Sequence, residues 1–67
     1  MAKFPERLKE LREEKNLTQE QLGKELDIHP ITISKWERGV STPNIDVLET
    51  LTNFFKVPAG YLIGTEN

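Results

Sequence analysis

The sequence contains no cysteine and a single histidine. Without thiols there is no disulfide and no thiolate metal site, and one imidazole cannot make a histidine cluster. No metal, cofactor or small-molecule ligand is therefore expected. No apolar run approaches the roughly 20 residues that span a bilayer, and the opening MAKFPERLKEL is charged where a signal peptide is apolar. A soluble, cytoplasmic chain with no membrane partner is the expectation. A Gly-rich phosphate loop and a carboxylate pair in a definable cleft are also missing, which argues against an enzyme and leaves no catalytic residue to name. Period-two alternation never extends beyond a few residues, so no sheet is expected. There is no internal repeat and no low-complexity segment. A chain of 67 residues is expected to form one domain, 1–67, burying only about 60% of its unfolded surface and held by packing alone.

A basic excess is lacking too. The formal net charge is -2 and the pI about 5.3, whereas nucleic-acid binders are usually basic. The charge is unevenly spread. Residues 1–16 carry five Lys/Arg against four Glu, and residues 29–44 carry Lys35 and Arg38 against Glu37 alone. Residues 17–28 and 45–67 are each net -2. The acidic excess thus lies outside the two mildly cationic segments.

What is present is helical. Phe4, Leu8 and Leu11 fall at i, i+4 and i+7, predicting an amphipathic helix from about Pro5 to Asn16, where Asn tolerates a left-handed cap. The central stretch Thr18–Gly39, TQEQLGKELDIHPITISKWERG, reads as two short helices joined by a tight turn. Thr18 and Gln21 fit a capping box, and Leu22 and Leu26 lie one turn apart. Pro30 restarts a helix where its missing N–H costs nothing. Ile33, Trp36 and Glu37 then share the inward face; Ile31, Ser34, Lys35 and Arg38 point the other way. Gly39 ends that helix. Asn44 is placed to cap a fourth helix with Leu48, Leu51 and Phe55 inward. Pro58 opens a last turn through Tyr61, Leu62 and Ile63, closed by Gly64, and Thr65–Asn67 are expected to fray. Gly23 inside a helix costs roughly 1 kcal/mol relative to Ala and needs a reason. A close approach of the second helix to the third supplies one.

A small residue, a turn and a β-branched anchor at this spacing are what a helix-turn-helix requires. Thr18–Gly39, together with RLKELREEKNLTQEQL before it, ISKWERG within it and VPAGYLIG after it, resembles the phage-repressor/Cro family, also called the XRE family. The resemblance covers nearly the whole chain. It implies an all-α, five-helix, lambda-repressor-like fold with its helix-turn-helix core at 18–39. It also implies a sequence-specific transcriptional regulator, a repressor by expectation, whose third helix enters the major groove of a double-stranded operator. Family members often pair near the closing turn and often continue beyond it into a further domain, so a homodimer is expected, with Tyr61 or Ile63 in its contact. The alternative is a module or anti-repressor of the same fold that binds protein and does not read DNA, favoured by the acidic pI and the apolar Ile31.

Residue by residue, the resemblance implies that Gln19 contacts phosphate and braces the reading residues. Lys35 reaches guanine or phosphate, Arg38 meets phosphate, and Thr32 touches the backbone; Ser34 is a weaker member. Thr18, His29, Pro30 and Asn44 complete the DNA-facing set. Where the family has polar residues leading the reading helix, this chain has His29, Pro30 and Ile31. His29 is read as a cap or phosphate neighbour. Ile31 is read as an apolar contact to a thymine methyl. Asp27 replaces the Gly common in the turn, which raises a question of strain. Arg12 and Glu37, at the margins of two apolar stripes, match a family pair and are expected to form a partly buried salt bridge.

Overall fold

Each helix begins where the sequence supplies a cap or a proline. The chain folds as α1 (Phe4–Glu14), α2 (Gln19–Leu26), α3 (Pro30–Glu37), α4 (Ile45–Phe55) and α5 (Ala59–Ile63), with no strand among the described residues. The computed structural model describes residues 3–65. The Thr18 hydroxyl accepts from the Gln21 N–H at 3.0 Å, and the Gln21 side chain accepts from the Thr18 N–H at 2.8 Å. That is the expected capping box. Asn44 Oδ1 accepts from the Val47 N–H at 2.9 Å and starts α4 as expected.

All five helices end in the same way. A residue with positive φ follows, and the next N–H reaches back five residues: Leu17 to Arg12, Ile28 to Gly23, Val40 to Lys35, Val57 to Thr52 and Thr65 to Gly60. The left-handed residues are Asn16, Asp27, Gly39, Lys56 and Gly64. This closure satisfies carbonyls that would otherwise be orphaned. Two expectations change. Helix α1 stops at Glu14 rather than Asn16, because Lys15 and Asn16 are spent on the closing turn. Thr65 is tied rather than frayed, its N–H on the Gly60 carbonyl at 2.8 Å; residues 66–67 lie outside the described residues.

The core joins every element. Phe4, Leu8 and Leu11 of α1, Leu22 of α2, Ile33 and Trp36 of α3, Leu48, Leu51 and Phe55 of α4 and Leu62 of α5 are buried together. Phe4 meets Trp36 edge to face, ring centroids 6.3 Å apart. Helix α3 packs on α1 and α2, while α5 packs on α1 and α4. One face of α3 is thereby fixed from two sides, and the other is left facing outward.

Candidate nucleic-acid interface

The spacing between α2 and α3 is set by Gly23. A Cβ there would lie 2.4 Å from the backbone oxygen of Ile28 and 3.5 Å from the Pro30 nitrogen. The close approach predicted at Gly23 is thus to the turn and the first residue of α3. Asp27 adopts φ 57 and ψ 45, the left-handed region for which Gly is the low-cost residue. The turn geometry keeps its left-handed form, and Asp27 bears the strain.

Glu37 joins three helices. Arg12 of α1 donates from Nε to Glu37 Oε2 at 2.7 Å and from Nη2 to Oε1 at 3.0 Å. Gln19 of α2 donates from Nε2 to Oε1 at 3.1 Å. The Arg12 and Glu37 side chains are only 11% and 4% exposed, so the expected salt bridge is present and largely buried. Arg12 Nη1 also donates to the Leu17 carbonyl at 2.7 Å, holding the entry to α2. The Glu37 hydrogen bond raises the Arg12 pKa above the ordinary guanidinium value; burial opposes it, and the charges of Glu37 and Glu13 add to it. Among the described residues no buried side-chain nitrogen or oxygen lacks a partner.

The outward side of α3 carries the rest of the set. His29 Nδ1 accepts from the Ile31 N–H at 3.1 Å, making the imidazole the cap of α3. Pro30 is half-buried, and Ile31 is 55% exposed. Lys35 and Arg38 are exposed, with Thr32 and Ser34 half-buried beside them. Arg38 Nε donates to Ser34 Oγ at 3.2 Å, one turn back. Val40 closes α3 through Lys35 O at 2.9 Å, and Gly39 takes φ 74. Gln19 lies on the α2 side of this surface, with Thr18 before it. Asn44 stands beyond the loop with Oδ1 committed to its cap. An eight-residue helix is about 12 Å long, the width of a B-DNA major groove.

The C-terminal end differs from expectation in detail. The Arg7 guanidinium lies 4.3 Å from the centroid of the Tyr61 ring, and its Nη1 donates to the Tyr61 carbonyl. Tyr61 is thus engaged within the chain, half-buried, while Leu62 fills the core and Ile63 packs at its edge. Sequence reasoning missed Arg7, and also Lys15, whose Nζ lies 5.3 Å from the Phe54 ring centroid. No spacing signal connects either cation to aromatics far along the chain.

Comparison with known proteins follows the same outline. The helix-turn-helix family matches residues 8–62. Over 63 residues the chain is 44% identical to the HTH-type transcriptional activator BcrR of Enterococcus faecalis, covering 94% of this chain and 31% of that protein. It is 35% identical over 60 residues to the HTH-type transcriptional regulator ImmR of Bacillus subtilis, covering 90% of this chain and 47% of ImmR. It is 28% identical over 60 residues to the cryptic phage CTXphi transcriptional repressor RstR of Vibrio cholerae, covering 90% of this chain and 54% of RstR. The chain therefore spans from just under a third to about half of the length of these relatives. Among the described residues, no helix is long and apolar enough to cross a membrane.

Proposed function

The chain belongs to the helix-turn-helix family, and we propose that it is the DNA-reading domain, residues 1–67, of a transcriptional repressor. The observation that carries this reading is the division of α3. Ile33, Trp36 and Glu37 are locked inward, so Ile31, Lys35 and Arg38 are held outward on a rigid helix. A fixed helix presenting two cations and no carboxylate on its outer face suits a major groove. Lys35 reaches base edges or phosphate and Arg38 reaches phosphate, with Thr32 and Ser34 filling the contact. Gln19 keeps one amide N–H on Glu37 and turns the other to phosphate, and Thr18 and Asn44 flank the backbone. Such a role belongs to the cytoplasm of a bacterium, and repression follows from occupancy of the operator.

The active species is a homodimer. The domain measures 27 × 23 × 21 Å, less than the ~34 Å between successive major grooves on one face of B-DNA. One copy therefore covers one half-site, and two copies joined near Tyr61 and Ile63 cover both. Both residues are half-buried and retain surface for a partner. A protein-binding module is the second reading, favoured by the exposed Ile31 and the net charge of -2.

Fluorescence anisotropy with a labelled duplex at several salt concentrations separates the two. DNA binding by Lys and Arg gives a log–log salt slope of about -0.9 per phosphate neutralised. A slope near zero at every duplex tested sinks the DNA reading.

A further inference from the structure

The first turn of a helix usually offers free backbone N–H groups, which bind phosphate. In α3 these donors are spent. Pro30 has none, the Ile31 N–H donates to His29 Nδ1 at 3.1 Å, and the Thr32 N–H donates to the His29 carbonyl at 3.0 Å. The leading edge of the helix therefore has side chains to offer in their place. The cap bond also assigns the imidazole tautomer: an Nδ1 that accepts leaves the proton on Nε2. His29 is exposed, so toward solvent it presents a donor and no acceptor. Two residues on, Ile31 presents an apolar surface that is 55% exposed.

We propose that His29 and Ile31 form a base-reading pair, in which His29 Nε2–H donates to a purine acceptor and Ile31 packs on the methyl of a neighbouring thymine. The proposal rests on α3 being a DNA-reading helix. In the major groove the acceptors are guanine O6 and N7, adenine N7 and thymine O4, while adenine N6 and cytosine N4 donate. An imidazole held in this tautomer rejects the two amino groups. A phosphate oxygen is an acceptor too, but the surroundings disfavour it. The groove beside His29 carries Glu20 and Asp27 against Lys24 alone, a net negative rim at the point where a phosphate would approach. Base edges, which carry no net charge, are the better match.

The test begins with duplexes selected from a random library by the 67-residue chain. In the selected site, 7-deazapurine in place of each purine in turn removes N7, and uracil in place of each thymine removes the methyl. One deaza substitution should weaken binding about three- to tenfold, the worth of one hydrogen bond. One uracil substitution nearby should weaken it about fourfold, the worth of one buried methyl. On the protein side, His29→Ser keeps the cap, because Ser is a strong capping residue, and deletes Nε2–H. This variant should keep its melting temperature, lose the same affinity and become indifferent to the deaza position. Ile31→Ala should become indifferent to uracil. If the wild-type chain selects no motif, the DNA reading falls and takes this pair with it. If it selects a motif that His29→Ser also selects with unchanged affinity, the pair alone is wrong. A His29→Ser variant that loses affinity alike for every duplex, with the motif and its sensitivity to each deaza substitution unchanged, would make His29 a phosphate contact and overturn the assignment.

Discussion

Arg12 and Glu37 face each other across the α1–α3 interface in a two-point ion pair, with N–O distances of 2.7 and 3.0 Å. The pair is shielded from water on both sides, and Gln19 adds a third donor to the same carboxylate. It sets the rotation of α3 about its own axis. That rotation decides which side chains of α3 face outward.

Removing one partner should destabilise the domain strongly. Glu37→Leu leaves the Arg12 guanidinium buried without its carboxylate, and Arg12→Met does the reverse. Each should cost about 3–5 kcal/mol, a large share of a typical 5–15 kcal/mol total. The double variant Arg12→Met/Glu37→Leu should recover most of the loss, since apolar pairs often replace buried ion pairs at little cost. Urea unfolding of the four proteins measures the coupling, and additive losses would show that the contact is not cooperative.

The same pair has a defined pH behaviour on its basic side. Arg12 has a folded-state pKa raised above its unfolded one, chiefly by the Glu37 hydrogen bond. Its contribution is then fully present below the unfolded value and is lost only as pH rises through the folded one. The unfolded value is the ordinary guanidinium one and the folded value lies above it, so both are far above neutral pH. The stability difference between wild type and Arg12→Met should be flat between about pH 7 and 9. A difference that shrinks over that interval would contradict the assignment.

Gly23→Ala offers a test by sign. Helix propensity alone favours Ala over Gly by about 1 kcal/mol. The contact of a Cβ with the Ile28 oxygen at 2.4 Å is with backbone, so the turn must move. Overpacking of this kind typically costs about 1–3 kcal/mol, and thermal unfolding should show a lower melting temperature. A stabilised variant would mean that the turn yields freely.

Asp27 and Lys56 test the opposite sign. Both hold φ near 58° without being Gly, at 57° and 58°. Replacing either by Gly should remove a left-handed penalty of about 1 kcal/mol, worth about 4–8 °C in a domain of this size. Unchanged melting temperatures in both would argue against these closures.

The sequence displayed the scaffold more openly than the surface. Thr18, Pro30 and Asn44 announced helix starts, and Asn16, Gly39 and Gly64 announced ends, because their side chains or lack of them suit those backbones. Lys56 carried no such mark, since lysine has no local bond that favours the left-handed region; Val57 and Pro58 marked the break indirectly. The apolar stripes placed nine of the ten buried core residues, all but Leu62 of the last turn, and the Arg12–Glu37 pair came from family resemblance combined with its position at the stripe margins. The arrangement of Gln19 and Arg7 was not legible. Gln19 meets Glu37 18 residues away, and Arg7 meets Tyr61 54 residues away; both contacts depend on how packed helices are rotated. At the leading edge of α3, residue types suggested an unusual reader. The structure adds that its backbone donors are already consumed.

The central claim is that the outward face of α3 reads DNA, and site selection from a randomised duplex library tests it most directly. The wild-type chain should enrich one motif. Lys35→Ala should relax a defined position of that motif with a loss of about 1–3 kcal/mol if Lys35 reads a base, while Arg38→Ala should weaken all sequences alike and reduce the salt slope by about 0.9. No enriched motif, or one that neither substitution affects, would contradict the claim.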